Sequence, residues 1–340
     1  MSYQNHAMKK ALIVALIIFV IIFGYLFYLL KFAKHYPSNI DLVYKEDYFG
    51  ITFSKKFAAE LGMDWKEVYK AVLDDLKPKY IRIPVYWDET EQTKDEFDFH
   101  DYDYIFDEGK KHDVNFIAVI GWRIPRWPEC HAPKWLKDAE TSDTQERALI
   151  MLEKTVNHFK DRDEIQYWQV ENEPLMDFFG ECPNGDYEFL KKEVELVRKL
   201  DSRKIIVTSS GELTGWDREA KIADIFGTTL YRVVWNPWFR YSRYPFPASF
   251  YGWKADLYEI PKENRMIMEL QLEPWSPEGS LTELTQKEMT KSMNIEQFQA
   301  NIQFAINVDF AQTYLWGVEW WYWEYKHGEP QYWEIAKTLF

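Results

Sequence analysis

From residue 48 onward, short apolar runs alternate with longer segments whose apolar positions recur every three to four residues. A period near 3.6 marks an amphipathic helix, whereas a short uninterrupted apolar run suits a strand buried on both faces. The runs predict strands at 48–53, 80–85, 115–120, 165–170, 204–208, 230–235, 265–270 and 311–316. Helices are predicted at 64–76, 100–111, 141–159, 186–200, 217–226 and 249–258, within 284–306, and at 331–339. Asp64 with Glu67 three residues on, and Thr141 or Ser142, are the helix-start signals. Strict alternation implies parallel strands joined by right-handed crossovers. Eight such units in about 290 residues fit a closed barrel better than an open sheet, so the expected class is α/β, a (β/α)8 TIM barrel. Neither GxGxxG nor a Walker-type loop follows any predicted strand, so a nucleotide-binding doubly wound fold lacks its signature.

The N-terminus has another pattern. Ala11 to Leu30 is 20 consecutive residues without a charge, bracketed by Lys9-Lys10 and Lys31. About 20 apolar residues cross ~30 Å of hydrocarbon. A cleaved signal peptide has a shorter core, about 7–15 residues, and a small-residue cleavage site; Lys31-Phe32-Ala33-Lys34 offers none. The expected organisation is a tail at 1–10, a transmembrane signal anchor at 11–31, a linker at 32–47 and a barrel domain at 48–340. A short tail before a large domain favours a single-pass protein of the cell membrane with the barrel extracytoplasmic.

Composition narrows the partners. A net charge of −14 argues against nucleic acid and against a domain that clings to anionic lipid. Aromatic residues make up 18% of the chain, with 16 Trp and 22 Tyr. Sugar rings stack apolar C–H faces on aromatic planes, so this excess suits a carbohydrate cleft, although barrel cores also consume aromatics. The seven histidines are scattered, with no His-x-x-x-His or Cys/His cluster, and no metal or cofactor is expected. Ser209-Ser210-Gly211 is not a nucleophile elbow. The two cysteines, Cys130 and Cys182, fall in loops after consecutive predicted strands, which lie side by side on a barrel face. An extracytoplasmic domain permits a disulfide between them.

Chemistry in such barrels sits at the C-terminal ends of the strands. There the sequence places Arg82, Trp122-Arg123, Asn172-Glu173, Glu212, Trp235-Asn236, Glu269 with Gln271, and Trp316, with Glu319-Trp320 beyond. Two apolar runs end in carboxylates, Trp168-Gln169-Val170-Glu171-Asn172-Glu173-Pro174 and Met266-Ile267-Met268-Glu269-Leu270-Gln271. A pair of carboxyls is what glycoside hydrolysis needs, one to protonate the leaving oxygen and one to attack the anomeric carbon or activate water. Salt bridges across the barrel mouth are the bland alternative. Side-chain alternation does not choose between Glu171 and Glu173, nor among Glu269, Gln271 and Glu273, because each set shares a parity.

The Asn-Glu-Pro ending followed by a strand-final Glu resembles glycoside hydrolase clan A, the retaining (β/α)8-barrel enzymes acting mostly on β-linked sugars. That resemblance, which covers most of the chain from Phe49 on, picks Glu173 as general acid/base and Glu269 as nucleophile. It implies that Asn172 donates to the sugar 2-hydroxyl and that Arg82, in Ile81-Arg82-Ile83-Pro84, lies beneath the nucleophile and keeps it ionised. Retention implies carboxyls ~5–5.5 Å apart. Trp316 resembles the tryptophan that floors the reacting sugar's subsite, with Trp320 second. The clan usually supplies a Tyr or His from strand six; Val233-Val234-Trp235-Asn236 has neither, so Trp235 or Asn236 is expected to substitute. Trp122, Arg123, Glu212 and Gln271 complete the candidate substrate-binding set, with an oligo- or polysaccharide as partner. The expected function is a membrane-anchored retaining glycoside hydrolase; a transglycosylase using the same site, or a tethered non-catalytic carbohydrate-binding barrel, are the alternatives.

Overall fold

The computed structural model describes residues 2–31, 44, 47–277 and 280–340, with side chains of the first helix described over 12–28. Eight parallel strands close a barrel: β1 (Phe49–Thr52), β2 (Tyr80–Pro84), β3 (Asn115–Ile120), β4 (Ile165–Val170), β5 (Ile205–Ser209), β6 (Ile225–Leu230), β9 (Arg265–Gln271) and β10 (Gln312–Trp316). An antiparallel hairpin, β7 (Val233–Asn236) and β8 (Arg240–Arg243), interrupts the series after β6. The order around the barrel is β1-β10-β9-β6-β5-β4-β3-β2, so every neighbour pair is parallel and no edge remains. All residues of β5, β6 and β9 are buried, which explains why these strands carry no alternating polar pattern. Ile117, Ile206, Ile225, Met266, Met268 and Tyr314 fill one cluster, and the larger core joins the outer strand faces to the helices.

The predicted elements at 100–111, 115–120, 141–159 and 165–170 coincide with the observed ones. Asp64 and Asp186 cap their helices by accepting from Lys66 N at 3.0 Å and Glu188 N at 3.0 Å. The helix Thr141–Phe159 follows Glu140 with no side-chain cap, so neither Thr141 nor Ser142 serves. The segment predicted as one helix within 284–306 is two, Gln286–Met289 and Ile295–Val308, the second capped by Asn294.

The largest correction concerns the sixth barrel strand. The sequence pattern puts it at 230–235, but Ile225–Leu230 is the barrel strand and 217–226 holds only the short helix Glu219–Ile222. Val233-Val234-Trp235 is β-prone and does form a strand, in the hairpin above the barrel. The true strand reads Ile-Phe-Gly-Thr-Thr-Leu, whose weak hydrophobic signal has a packing cause. A Cβ on Gly227 would stand 2.4 Å from Met268 Cγ and 2.8 Å from Thr208 Cγ2, so β5 and β9 crowd that position.

The transmembrane anchor expected at 11–31 is also corrected. Ser2–Lys31 is a helix, but among the described residues no helix is long and apolar enough to cross a membrane. Apart from Tyr44 and Asp47, the linker expected at 32–47 lies outside the described residues.

Candidate active site

Arg82 is the hub of the barrel mouth. It stands on β2, fully buried. Its Nε donates to Gln169 Oε1 at 2.8 Å and its Nη2 to Asn172 Oδ1 at 2.8 Å. Its Nη1 donates to Glu269 Oε1 at 3.1 Å and to Met268 O at 3.2 Å. One guanidinium thus ties β2, β4 and β9 together, and its fixed fork of donors sets where each acceptor lies. The second oxygen of Glu269 accepts from Tyr231 Oη at 3.0 Å. Burial, then the charge of Glu269, holds the Tyr231 phenol well above its usual range, so it remains a donor.

Glu173 follows β4 with a left-handed backbone, φ 46°. Its amide donates to Thr208 Oγ1 at 2.9 Å, and its Oε1 accepts from Thr229 Oγ1 at 2.9 Å. Burial, then the nearby charge of Glu269, pushes its carboxyl up to about 8. The two carboxyls therefore stand in opposite settings, Glu269 against a guanidinium and Glu173 desolvated beside a like charge.

Glu171, two residues earlier, turns away from them. Its oxygens accept the backbone N–H groups of Trp122 and Arg123, both at 2.6 Å. Burial pushes its carboxyl up to about 7, and it shares a hydrogen bond with Glu193 of the helix Tyr187–Leu200. It meets the backbone at Gly121, φ 141°, where a Cβ would lie 2.3 Å from Glu171 Oε1. The parity ambiguity of the sequence is resolved here by tertiary contacts.

The other sequence-selected residues divide. Gln271 accepts from Arg232 N and Val233 N at 2.8 and 2.9 Å and donates to Val233 O at 2.7 Å, so it anchors the loop after β6. Glu212 accepts from Tyr251 Oη at 2.5 Å, and burial pushes its carboxyl up to about 7. Arg123 donates to the carbonyls of Met176 and Phe179, both at 2.8 Å, and so fastens the loop after β4; Trp122, half-buried beside it, packs on the core. Cys130 and Cys182 are bonded, with Cα atoms 5.4 Å apart, joining the loops after β3 and β4.

Trp316 ends β10 with its Nε1 donating to Glu273 Oε1 at 2.8 Å. Trp320 is in the helix Val318–Lys326, buried against Tyr332 with ring centroids 4.5 Å apart, and belongs to the core. Trp235 and Asn236 are in the hairpin, where Asn236 Oδ1 accepts from Trp238 N and Phe239 N. Neither substitutes for a strand-six tyrosine, because Tyr231, the residue after β6, already reaches Glu269.

Tyr231, Thr208, Thr229, Gln169 and Glu129 are site residues the sequence reading missed. A correctly placed β6 would have exposed Tyr231 at its end. Glu129, on the loop after β3, is buried, and burial, then the charges of Glu269 and Glu173, push its carboxyl well up. From Tyr231 a line of rings leads outward: Trp275 at 5.6 Å, Phe179 at 5.9 Å from Trp275, and Trp127 at 6.0 Å from Phe179. Trp127 is exposed.

No family model matches this sequence, and no curated protein sequence is similar to it. Solved structures do resemble it. Native xylanase 10B from Thermotoga maritima superposes with a TM-score of 0.56 at 14% identity, covering 86% of this chain and 94% of that one. Xylanase 10B from Thermotoga petrophila in complex with xylobiose gives 0.53 at 13%, covering 84% and 86%. A β-galactosidase from Bacillus circulans gives 0.53 at 13% over 79% of this chain, which spans only 50% of that enzyme. The resemblance to clan A glycosidases thus holds at the level of the fold: this chain is a (β/α)8 barrel of the kind that xylanases and β-galactosidases share.

Proposed function

We propose that this protein is a retaining glycoside hydrolase acting on β-linked oligo- or polysaccharides, with Glu269 as nucleophile and Glu173 as general acid/base. The observation that carries the reading is the unequal pair. Glu269 takes hydrogen bonds from Arg82 and Tyr231 on its two oxygens, whereas burial and a like charge keep Glu173 protonated near neutral pH. Two carboxyls whose surroundings push them apart divide acid and nucleophile roles between them.

In the first step Glu269 attacks the anomeric carbon while Glu173 gives its proton to the departing glycosidic oxygen. Glu173, now a carboxylate, then takes a proton from water, which breaks the glycosyl–Glu269 ester and restores both groups. In this reading Asn172 donates to the 2-hydroxyl. The rings from Tyr231 to Trp127 offer stacking faces for further sugar units. The Cys130–Cys182 bond supports work outside a reducing cytosol.

The test is product release by the full chain on a panel of β-linked oligosaccharides, with Glu269→Gln beside it. Cleavage by the wild type alone supports the reading. Binding without cleavage, unchanged in Glu269→Gln, would replace it with a carbohydrate-binding barrel.

A further inference from the structure

Around the barrel β3 stands opposite β9, with three strands between them on either side. Arg126, on the loop after β3, spans that diameter. Its terminal nitrogens donate to Glu273, just past β9, and to Glu319 in the helix Val318–Lys326 after β10. The loop is aimed there by its own ties. Arg126 takes a left-handed backbone, φ 90°, which a residue with a Cβ keeps only where its surroundings impose it. His131 Nε2 donates to Arg126 O at 3.0 Å, and Tyr86 Oη donates to Pro125 O at 3.0 Å. The Tyr86 oxygen in turn accepts from Ser54 Oγ at 2.8 Å, so the loops after β1, β2 and β3 lock together.

The line from Arg126 to Glu273 divides the mouth into two unlike halves. On the side of β10, β1 and β2, residues 53–55, 85–87 and 317–322, which follow those strands, are all buried. Phe57 and Trp316 lie against the guanidinium, and a Cβ on Gly317 would stand 2.7 Å from Glu273 Cβ. On the side of β4, β5 and β6, Phe179, Glu212 and Tyr231 stay partly accessible, as does Trp275 after β9. The line of rings from Tyr231 to Trp127 draws on the loops after β6, β9, β4 and β3, and on none after β10, β1 or β2. Glu173 follows β4 and takes its hydrogen bond from Thr229 on β6, in the open half. Glu269 stands on β9, at one end of the dividing line.

The acid marks where the leaving group goes, because it must reach the departing oxygen. With Glu173 on the open side, the attacked sugar over Glu269 has the closed half behind it. We infer, resting on the glycosidase reading, that the site is a dead-end pocket for the non-reducing end of a β-linked chain, with the Arg126–Glu273–Glu319 cluster as its wall. The protein then removes a terminal sugar, and the remaining chain leaves across the open half. The bond broken joins the terminal sugar to the next one, whose oxygen takes the Glu173 proton. Cleavage inside a chain needs a groove open at both ends, and here that would require a buried ion pair to part.

Oligosaccharides of defined length, labelled at the reducing end, test this with the full chain. The wild type should release one unlabelled sugar at a time and leave a labelled ladder that shortens by single units. A bulky group on the non-reducing end should lower kcat/KM about hundredfold or more, whereas the same group on the reducing end should change it less than about threefold. Internal fragments from the outset, or equal cleavage of the two blocked substrates, would overturn the proposal. In a folded Arg126→Ala, Glu319→Ala chain the non-reducing block should matter at least about tenfold less, and an unchanged ratio would overturn the role given to the cluster. Should that variant not fold, the wild-type ladder still decides. Binding to Glu269→Gln, followed by calorimetry, needs no turnover: the non-reducing block should abolish it, and equal binding of both blocked chains would count against the dead end. A wild type that neither cleaves nor binds any of these chains removes the glycosidase reading itself, whereas internal fragments keep that reading and remove this one.

Discussion

Two arginine-centred clusters share the barrel mouth, and they do different things. Arg126 sits between Glu273 and Glu319, donating to Glu273 Oε1 at 2.5 Å, Glu273 Oε2 at 3.2 Å and Glu319 Oε2 at 2.9 Å. Ser54 N on Glu319 and Trp316 Nε1 on Glu273 complete the occupation of the carboxylate oxygens, the Phe57 and Trp316 rings lie 3.5 and 4.0 Å from the guanidinium carbon, and Arg126 Nε is buried without a hydrogen-bond partner. On its carboxylate side that cluster is closed. The Arg82 cluster is as deeply buried, but it borders Glu173, which among the described residues takes one side-chain hydrogen bond, from Thr229. A buried ion pair with every oxygen occupied is architecture, whereas one beside an under-partnered carboxyl is poised for chemistry.

The strongest break in this comparison is on the reacting side. Glu269→Gln should lower turnover by roughly three to four orders of magnitude or more and abolish covalent trapping by a mechanism-based glycoside, as read by intact mass. An active Glu269→Gln would end the assignment. Next, Glu173→Gln should cost about 10²–10⁴ on natural glycosides and far less on activated aryl glycosides, which need no acid. Wild-type kcat/KM should fall as pH rises past about 8, because the acid is lost, and that limb should vanish in Glu173→Gln. Similar losses on both substrate types would argue against an acid role.

The closed cluster should respond in stability. Arg126→Met leaves Glu273 and Glu319 buried without their cation and should cost about 3–5 kcal/mol, seen in chemical denaturation. Full stability would mean that the cluster is not closed.

The smallest expected effect is with pH. Glu171 and Glu173 are pushed up to about 7 and about 8, and Glu212 and Glu319 each to about 7. The folded chain therefore keeps protons that an unfolded one, with glutamates near ~4.3, has released. Stability is fullest below that value and declines as pH climbs toward 8. Tm should fall between pH 5 and 8, and Glu193→Gln, which removes a carboxyl that burial holds well above its usual range, should flatten part of the fall. A Tm that rises over this range would contradict these burial effects.

The sequence by itself determined the βα repeat, because a strand buried on both faces needs an apolar run whatever its neighbours are. It also brought Arg82, Asn172, Glu173 and Glu269 to strand ends, where a barrel gathers polar groups. It did not determine which carboxyl of a same-parity set faces the axis. Glu171 and Glu173 differ only in what surrounds them: the N–H groups of the β3 loop and Glu193 for one, Thr229 and Glu269 for the other. Nor did it locate β6, whose glycine and threonines answer to the crowding of β5 and β9 rather than to a local preference. Tyr231 was hidden with β6, and its role became visible only in the tertiary structure, because its partner Glu269 lies 38 residues along the chain and a hydrogen bond between distant residues leaves no periodic trace in sequence.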